Sequence, residues 1–412
     1  MWFDSIDLDR YRNLHRRISG NLINVNPIQT GGVIPLEARK ALQEFLDGYS
    51  VCDFCSVPGG GRLDSIKDPP ISNFMIDLAK FVDMDEVRVV HGAREGIFAV
   101  MHSIARPGET VVVDSLAHYT TYVAAENAGL NVVEVPHSGP PFFRLTSEGF
   151  AEKVEEVRQT TGRNPSLIVL SHVDYEYGNL ADAGGIGRTA RKYGIPFLLN
   201  CAYTVGRMPV SGRQLQADFL VASAHKSMAT CGPAGLLAAT SDFAKRTFRR
   251  STNTGTWSGK KLGKKDVEFL GCTLRGLPVV SMMASFPHVV ERVRKWEDEV
   301  NKARWFASQL ERIEGIKQLG DKPHNHDITF YDSPPLAKIA EKHKRKGFFL
   351  YDELKEKGIM GLEPGLSKSF HLSTYMLTWD QVRSVADAFR FVAEKYSMPH
   401  ERENIKSQLL SN

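Results

Sequence analysis

An α/β fold, with a large parallel-sheet domain followed by a smaller C-terminal α+β domain, is predicted by three observations. Short apolar runs recur from Val87 to Ala239, each separated from the next by a stretch of helical length. That alternation is the pattern of parallel strands joined by right-handed crossovers. Small or polar residues close these runs at their C-terminal ends, where open α/β sheets place ligands. After about residue 285 the texture changes to long charged helices with fewer strands, which sets domains of residues 1–285 and 286–412.

The overall composition fits this division. A chain of 412 residues is too long for one ordinary core, and 42% hydrophobic content supplies apolar side chains for two. No apolar run reaches membrane-spanning length, and the start, MWFDSIDLDRYRNLHRR, lacks a signal-peptide apolar region. A cytoplasmic protein with no membrane partner is expected. A net charge of +4 is compatible with an RNA partner without requiring one. Five cysteines in such a chain point to thiol chemistry or metal ligation rather than a disulfide scaffold.

Taken in order, residues 1–20 predict a basic helix, with the N-terminal segment assigned to the large domain. NPIQTGG is turn-rich and precedes a helix expected from Pro35 to Gly48. Cys52 and Cys55 form a Cys-x-x-Cys in a loop, and Ile71–Val82 is helical. Strands are expected at Val87–Val90, Thr110–Val113, Val132–Val135, Leu167–Leu170 and Phe197–Leu199, with helices at Phe150–Thr161 and Ile186–Tyr193. The stretch ADFLVASAHKSMATCGPAGLLAA then places a strand at Phe219–Ala222, a polar break at Ser223-Ala224-His225-Lys226, and a second strand after Pro233. One long charged helix over Val289–Leu310 leads into the smaller domain, with strands at Ile328–Tyr331 and Lys368–Ser373 and helices at Phe348–Lys357 and Trp379–Lys395. The basic run KHKRK at Lys342–Lys346 reads as a solvated face.

The chemistry is expected at strand ends. A lysine presented between two buried strands loses proton affinity and becomes able to form a Schiff base, which singles out Lys226. Gly92-Ala93-Arg94-Glu95 is a strand-to-helix turn whose free N–H groups suit a phosphate. His118 follows the next strand, and Asn200 closes PFLLN. Each has an ordinary structural explanation alone. Their order describes a pyridoxal phosphate (PLP) pocket: phosphate turn, stacking imidazole, ring-nitrogen partner, then His-Lys.

The series GAREG, the His118 loop, LLNCAYTVGRMP and SAHK–CGPAG resembles the fold-type-I PLP enzymes of the cysteine desulfurase group. With NPIQTGG and DGYSVCDFC it is closer still to the archaeal O-phosphoseryl-tRNA:cysteinyl-tRNA synthases, from about Arg10 to Tyr396. The resemblance implies conversion of O-phosphoseryl-tRNA(Cys) to cysteinyl-tRNA(Cys) with PLP and a sulfur donor. It also implies a homodimer and, as a partner, the phosphoseryl-tRNA synthetase that makes the substrate. By position, Lys226 would carry PLP. Ala93, Arg94, Ser223, Ala224 and His225 would contact the cofactor, mostly at its phosphate. His118 would stack on the ring, and Asn200 would face the pyridine nitrogen. Arg94, His118 and Tyr119 would meet the departing phosphate, so Arg94 is left between cofactor and substrate.

Two departures from the desulfurase pattern fit that substrate. Asn200 replaces an Asp, which weakens the electron sink; loss of a good leaving group needs less carbanion stabilisation. His371 in SKSFHLSTYMLT stands where desulfurases carry an Arg for the free α-carboxylate, a group that a tRNA ester lacks. The resemblance further implies that Cys52, Cys55 and Cys272 converge, with contributions from two subunits. They would deliver sulfur as a persulfide or hold an iron–sulfur cluster with one open iron. Cys201 and Cys231 read as core or pocket wall. Two rivals predict different observations. A cysteine desulfurase or selenocysteine lyase would act on free amino acid without tRNA. A non-catalytic RNA-binding module would show no cofactor absorbance.

Overall fold

The computed structural model describes residues 22–46, 50–51, 69–261, 263, 266–269 and 274–400. Two short strands, β1 (Ile23–Asn24) and β2 (Ser50–Val51), precede the main sheet. The main sheet comprises β3 (Glu86–Val90), β4 (Thr110–Asp114), β5 (Asn131–Val135), β6 (Leu167–Ser171), β7 (Phe197–Asn200), β8 (Phe219–Ser223) and β9 (Gly235–Ala239). Its seven strands run in the order β3-β9-β8-β7-β6-β4-β5.

Every residue of β6, β7, β8 and β9 is buried. This explains why these strands read as continuous apolar runs rather than alternating ones: helices cover both faces. The pleat divides the side chains between two cores. Val112 packs with the helices Ile71–Phe81, Ser147–Thr161 and Ala183–Tyr193 on one face. Val111 and Val113 pack with Ala93–Ile104 and Tyr119–Asn127 on the other.

The sheet is mixed, not fully parallel as the sequence suggested. β9 runs antiparallel to both β3 and β8. The connection from β8 to β9 spans only Ala224–Ala234 and holds a single helical turn. A parallel return needs a crossover of a dozen or more residues, so the chain reverses instead. The remaining pairs, from β8 through β5, are parallel.

A second core lies around the three-stranded antiparallel sheet β11-β12-β14. The later strands of the chain are β10 (Leu274–Arg275), which pairs with β2, β11 (Lys317–Leu319), β12 (Ile328–Asp332), β13 (Ile359–Met360) and β14 (Ser369–Ser373). Strand β1 pairs in parallel with β13, and Val25 is buried in this second core. The single helix expected over Val289–Leu310 is two helices, Gly276–Val293 and Trp296–Glu311, broken at Arg294–Lys295. Val289 packs in the first core while Phe306 and Leu310 pack in the second, so the break lies where the chain changes cores. The helix expected to reach Gly48 runs only from Leu36 to Gln43. No helix among the described residues is long and apolar enough to cross a membrane.

Candidate active site

Lys226 sits on the one-turn helix Ala224–Ser227 at the C-terminal end of β8. So short a helix leaves most of its carbonyls without intrahelical partners. Two buried guanidinium groups supply them. Arg207 Nη2 donates to the Lys226 carbonyl at 3.1 Å, and Arg292 Nη2 donates to the Ser227 carbonyl. Arg207 is fully buried and also donates to Ser227 Oγ, to the Pro27 carbonyl and, through Nη1, to Asp327 Oδ2 at 2.6 Å. The lysine turn is thus clamped from the large domain's core, from the N-terminal segment and from Asp327, which precedes β12.

The NPIQTGG motif has its explanation here. Residues Thr30–Gly32 form a 3-10 turn against the lysine turn, and Ala229 N–H donates to the Gly31 carbonyl at 3.0 Å. A Cβ on Gly31 would lie 2.3 Å from the Lys226 carbonyl oxygen, and one on Gly32 would lie 2.2 Å from that of His225. Both contacts are with backbone, so neither can be relieved by rotating a side chain. Gly31→Ala is therefore expected to displace the Lys226 turn, costing about 1–3 kcal/mol of stability and weakening cofactor retention. Urea unfolding and dialysis against cofactor-free buffer measure the two effects.

Lys226 Nζ lies 4.4 Å from the Tyr203 ring centroid. Burial, reinforced by the nearby Arg207 charge, pulls its pKa down to about 8. The amine borders a cavity of about 330 Å³. Gathered around that cavity are Ala93, Arg94, His118, Tyr119, Asn200, Ser223, His225 and Lys226. These residues come from the ends of several strands, as the strand-end rule requires. Ala224 stands behind the wall, buried, with its N–H donating to the Ala234 carbonyl at 2.8 Å.

At one end of the cavity the helix Ala93–Ile104 begins. Its N-cap, Gly92, has φ +106° and provides no side-chain cap. A Cβ there would only touch the His225 ring, at 3.4 Å, so it is the backbone conformation that suits glycine. Ala93 N–H makes only a long 3.4 Å contact to Ser223 Oγ, which leaves this helix terminus suited to an anion. Arg94 is exposed at the rim and has no ion pair among the described residues.

His118 caps the helix Tyr119–Asn127, its Nδ1 accepting from Thr120 N–H at 3.3 Å. An accepting Nδ1 carries no proton, so in the neutral ring the proton resides on Nε2. Burial, with the Lys226 charge, lowers its pKa and keeps it neutral. Asn200 Oδ1 accepts from Ala202 N–H at 3.2 Å, which fixes which end of the amide is oxygen. The NH₂ end has no partner among the described residues and is suited to donate to an unprotonated ring nitrogen.

These features fit PLP: a depressed lysine, an uncapped helix N-terminus for the phosphate, an imidazole beside the cavity, and an amide donor. His371 does not line the cavity; it lies on β14 opposite Phe330. Cys201 is buried, and burial pushes its thiol up to about 12, as befits a core residue. Cys231 is half-buried. Cys52, Cys55 and Cys272 lie outside the described residues. Among the described residues no group of three His, Cys, Asp or Glu side chains is arranged to hold a metal ion. Nothing local in CAYTVGRMP assigns Tyr203 or Arg207 a role at the site. An arginine in an otherwise apolar segment was the available signal, but its partner Asp327 is 120 residues away.

Comparison with known proteins places the chain. The family model described as O-phosphoseryl-tRNA(Sec) selenium transferase, SepSecS, matches residues 72–383. The O-phospho-L-seryl-tRNA:Cys-tRNA synthase of Methanopyrus kandleri is 50% identical over 393 residues, covering 95% of this chain and 99% of that protein. Its Methanocaldococcus jannaschii counterpart is 51% identical over 388 residues, covering 94% and 99%. Among solved structures, a SepCysS–SepCysE N-terminal domain complex superposes with a TM-score of 0.86 at 50% identity, covering 95% of this chain and all of that one. The apo cysteine desulfurase of Thermococcus onnurineus superposes at 0.71 with 15% identity, covering 91% and 95%, a likeness of fold alone. The chain has the fold-type-I architecture of PLP-dependent transferases and belongs to the O-phospho-L-seryl-tRNA:Cys-tRNA synthase family.

Proposed function

We propose that this protein converts O-phosphoseryl-tRNA(Cys) to cysteinyl-tRNA(Cys), replacing the β-phosphate with sulfur, with PLP bound in the Lys226 cavity. The observation that carries this reading is the buried Lys226 amine facing an uncapped helix N-terminus, in a chain half identical to synthases of that name. When bound, PLP supplies the electron sink that makes the α-proton removable.

The chain's own residues do the rest. Neutral Lys226 takes the α-proton. The phosphate leaves the β-carbon with its bonding pair, a sulfur nucleophile adds to that carbon, and Lys226 returns a proton to Cα. Arg94 at the rim, with Tyr119 and His118, donates to the departing phosphate. Asn200 would donate its amide N–H to the ring nitrogen and so favour the unprotonated ring, a weaker sink that suffices when the leaving group is good. Phosphate release and cysteinyl-tRNA formation from phosphoseryl-tRNA(Cys) test this directly; alanine release from free cysteine without tRNA would assign a desulfurase instead.

Arg94→Ala is expected to lower kcat/KM for phosphoseryl-tRNA about 10- to 100-fold, the worth of one charge-assisted hydrogen bond, with cofactor retained. Loss of cofactor with substrate affinity intact would move Arg94 to the cofactor phosphate.

Sulfur delivery is assigned to Cys52, Cys55 and Cys272. The segments that flank them pair: Val51 is opposite Leu274 and Ser50 opposite Arg275, antiparallel. Cys52 directly follows Val51 in sequence, and Cys272 precedes Leu274 by two. Cys52→Ser, Cys55→Ser and Cys272→Ser are each expected to abolish cysteinyl-tRNA formation from a protein sulfur donor while phosphate release continues, since serine carries no persulfide. Unchanged product formation in all three would remove the assignment. Iron and acid-labile sulfide content separates a cluster from a persulfide relay. A cytoplasmic homodimer, the phosphoseryl-tRNA synthetase and a SepCysE-type protein complete the proposed partners, the last from the solved SepCysS–SepCysE complex.

A further inference from the structure

Trp257 is 100% exposed. It stands in a turn closed between Thr254 and Lys261. Arg250 bridges Asp266 and Thr254 bridges Lys261, both antiparallel, and Gly255 N–H donates to the Lys260 carbonyl at 2.9 Å. Gly259, at φ +64°, completes the tip by donating to the Gly255 carbonyl at 2.9 Å. The indole is therefore presented by a hydrogen-bonded turn.

The charge around it is one-sided. Between Asp242 and Asp266 the chain carries eight Lys or Arg residues and no Asp or Glu. In the stem, Arg249 pairs with Glu268 at 2.8 Å and Arg250 with Asp266 at 3.3 Å. At the tip, Lys260 and Lys261 are exposed and have no ion pair among the described residues. The stem is also tied to the active-site edge. Asp266 pairs with Arg88 of β3, whose guanidinium covers the Phe248 ring at 4.4 Å. Arg88 precedes the cavity residue His91 by three positions, about 10 Å along a strand.

We propose that the Thr254–Lys261 hairpin tip binds the single-stranded end of the substrate's RNA. Trp257 stacks on a base, and Lys260 and Lys261 meet the adjoining phosphates. This rests on the reading that the substrate is tRNA-linked. A lone aromatic ring among hydroxyls, glycines and unpaired lysines is the composition of a nucleic-acid stacking platform. A protein-binding hot spot sits instead in an apolar core depleted of charge, and no other large exposed hydrophobic side chain lies in the 243–263 segment among the described residues.

The test uses the full-length, PLP-loaded enzyme with deacylated tRNA(Cys) for binding and phosphoseryl-tRNA(Cys) for turnover. Trp257→Ala is expected to weaken tRNA binding about 10-fold or more, the worth of one base stack. KM rises accordingly while kcat and cofactor absorbance hold, and Trp257→Phe recovers most of the affinity. The double variant Lys260→Gln/Lys261→Gln is expected to flatten the log Kd against log salt slope by about 1.4, at about 0.7 per phosphate contact on a single strand. Parent-level tRNA affinity and salt slope in these variants would overturn the proposal while leaving the reaction assignment intact. So would a loss of affinity that appears only with a halved molecular mass, which would make the tip a contact between copies. A parent enzyme that neither binds tRNA nor releases phosphate from phosphoseryl-tRNA would overturn both.

Discussion

Lys226→Ala is expected to abolish turnover and covalent cofactor attachment together. Loss of the proton-transfer role alone is worth on the order of 10²–10⁴-fold, and the Schiff-base anchor is lost as well. Mass spectrometry of the borohydride-reduced protein reads the attachment, and phosphate release reads the chemistry. Turnover at the parent rate in a variant of confirmed mass would remove Lys226 from the mechanism. The same lysine sets a pH dependence. Burial and Arg207 favour its neutral form, lowering the pKa to about 8 from the ordinary lysine value near 10.4. Below about pH 8 the amine is an ammonium that cannot accept the α-proton; above it the amine is a free base. The proton-abstraction rate, read as single-turnover phosphate release, is therefore expected to rise with pH through about 8 and then level.

Asp327→Asn is expected to destabilise the fold by about 3–5 kcal/mol, because it leaves the fully buried Arg207 charge without its counter-ion. Urea unfolding of the cofactor-free protein measures it. Burial alone would raise the Asp327 carboxyl, but Arg207, His326 and Ser373 outweigh that, and its pKa lies below the usual carboxylate value. The pair's contribution is thus present above the ordinary carboxylate range, about 3.9, and is lost as pH falls through the lower folded value. A double replacement, Arg207→Met with Asp327→Leu, is expected to cost far less than Asp327→Asn, since no charge is then buried alone. It should nonetheless weaken cofactor retention, because the Lys226 carbonyl loses its guanidinium donor. A double variant with parent-level retention would show that the clamp does not position the lysine.

How much of the molecule was legible follows from how local each feature is. The strands of the main sheet lie within a residue or so of the runs that predicted them, and β6 to β9 most plainly, because a strand buried on both faces is written as an unbroken apolar run. Lys226, His118, Asn200 and Arg94 were legible as a set because each ends a strand or follows one within four residues, and parallel strands gather their C-terminal ends at one edge whatever the loops do. The direction of β9 depended on a connection too short for a crossover. Tyr203, beneath the amine, gave no local signal that distinguished it from any core aromatic.

By itself, then, the sequence determined the α/β class, the lysine between two buried strands and the order of residues around it, all of which depend on neighbours within a few positions. Only the tertiary structure decided that Gly31 and Gly32 lie under the lysine turn, that Arg207 joins it to Asp327, and that His371 stays outside the cavity. These are meetings of segments up to hundreds of residues apart. They are selected by close approach of backbones and by the need to pair a buried charge, and neither requirement leaves a periodic trace in the chain.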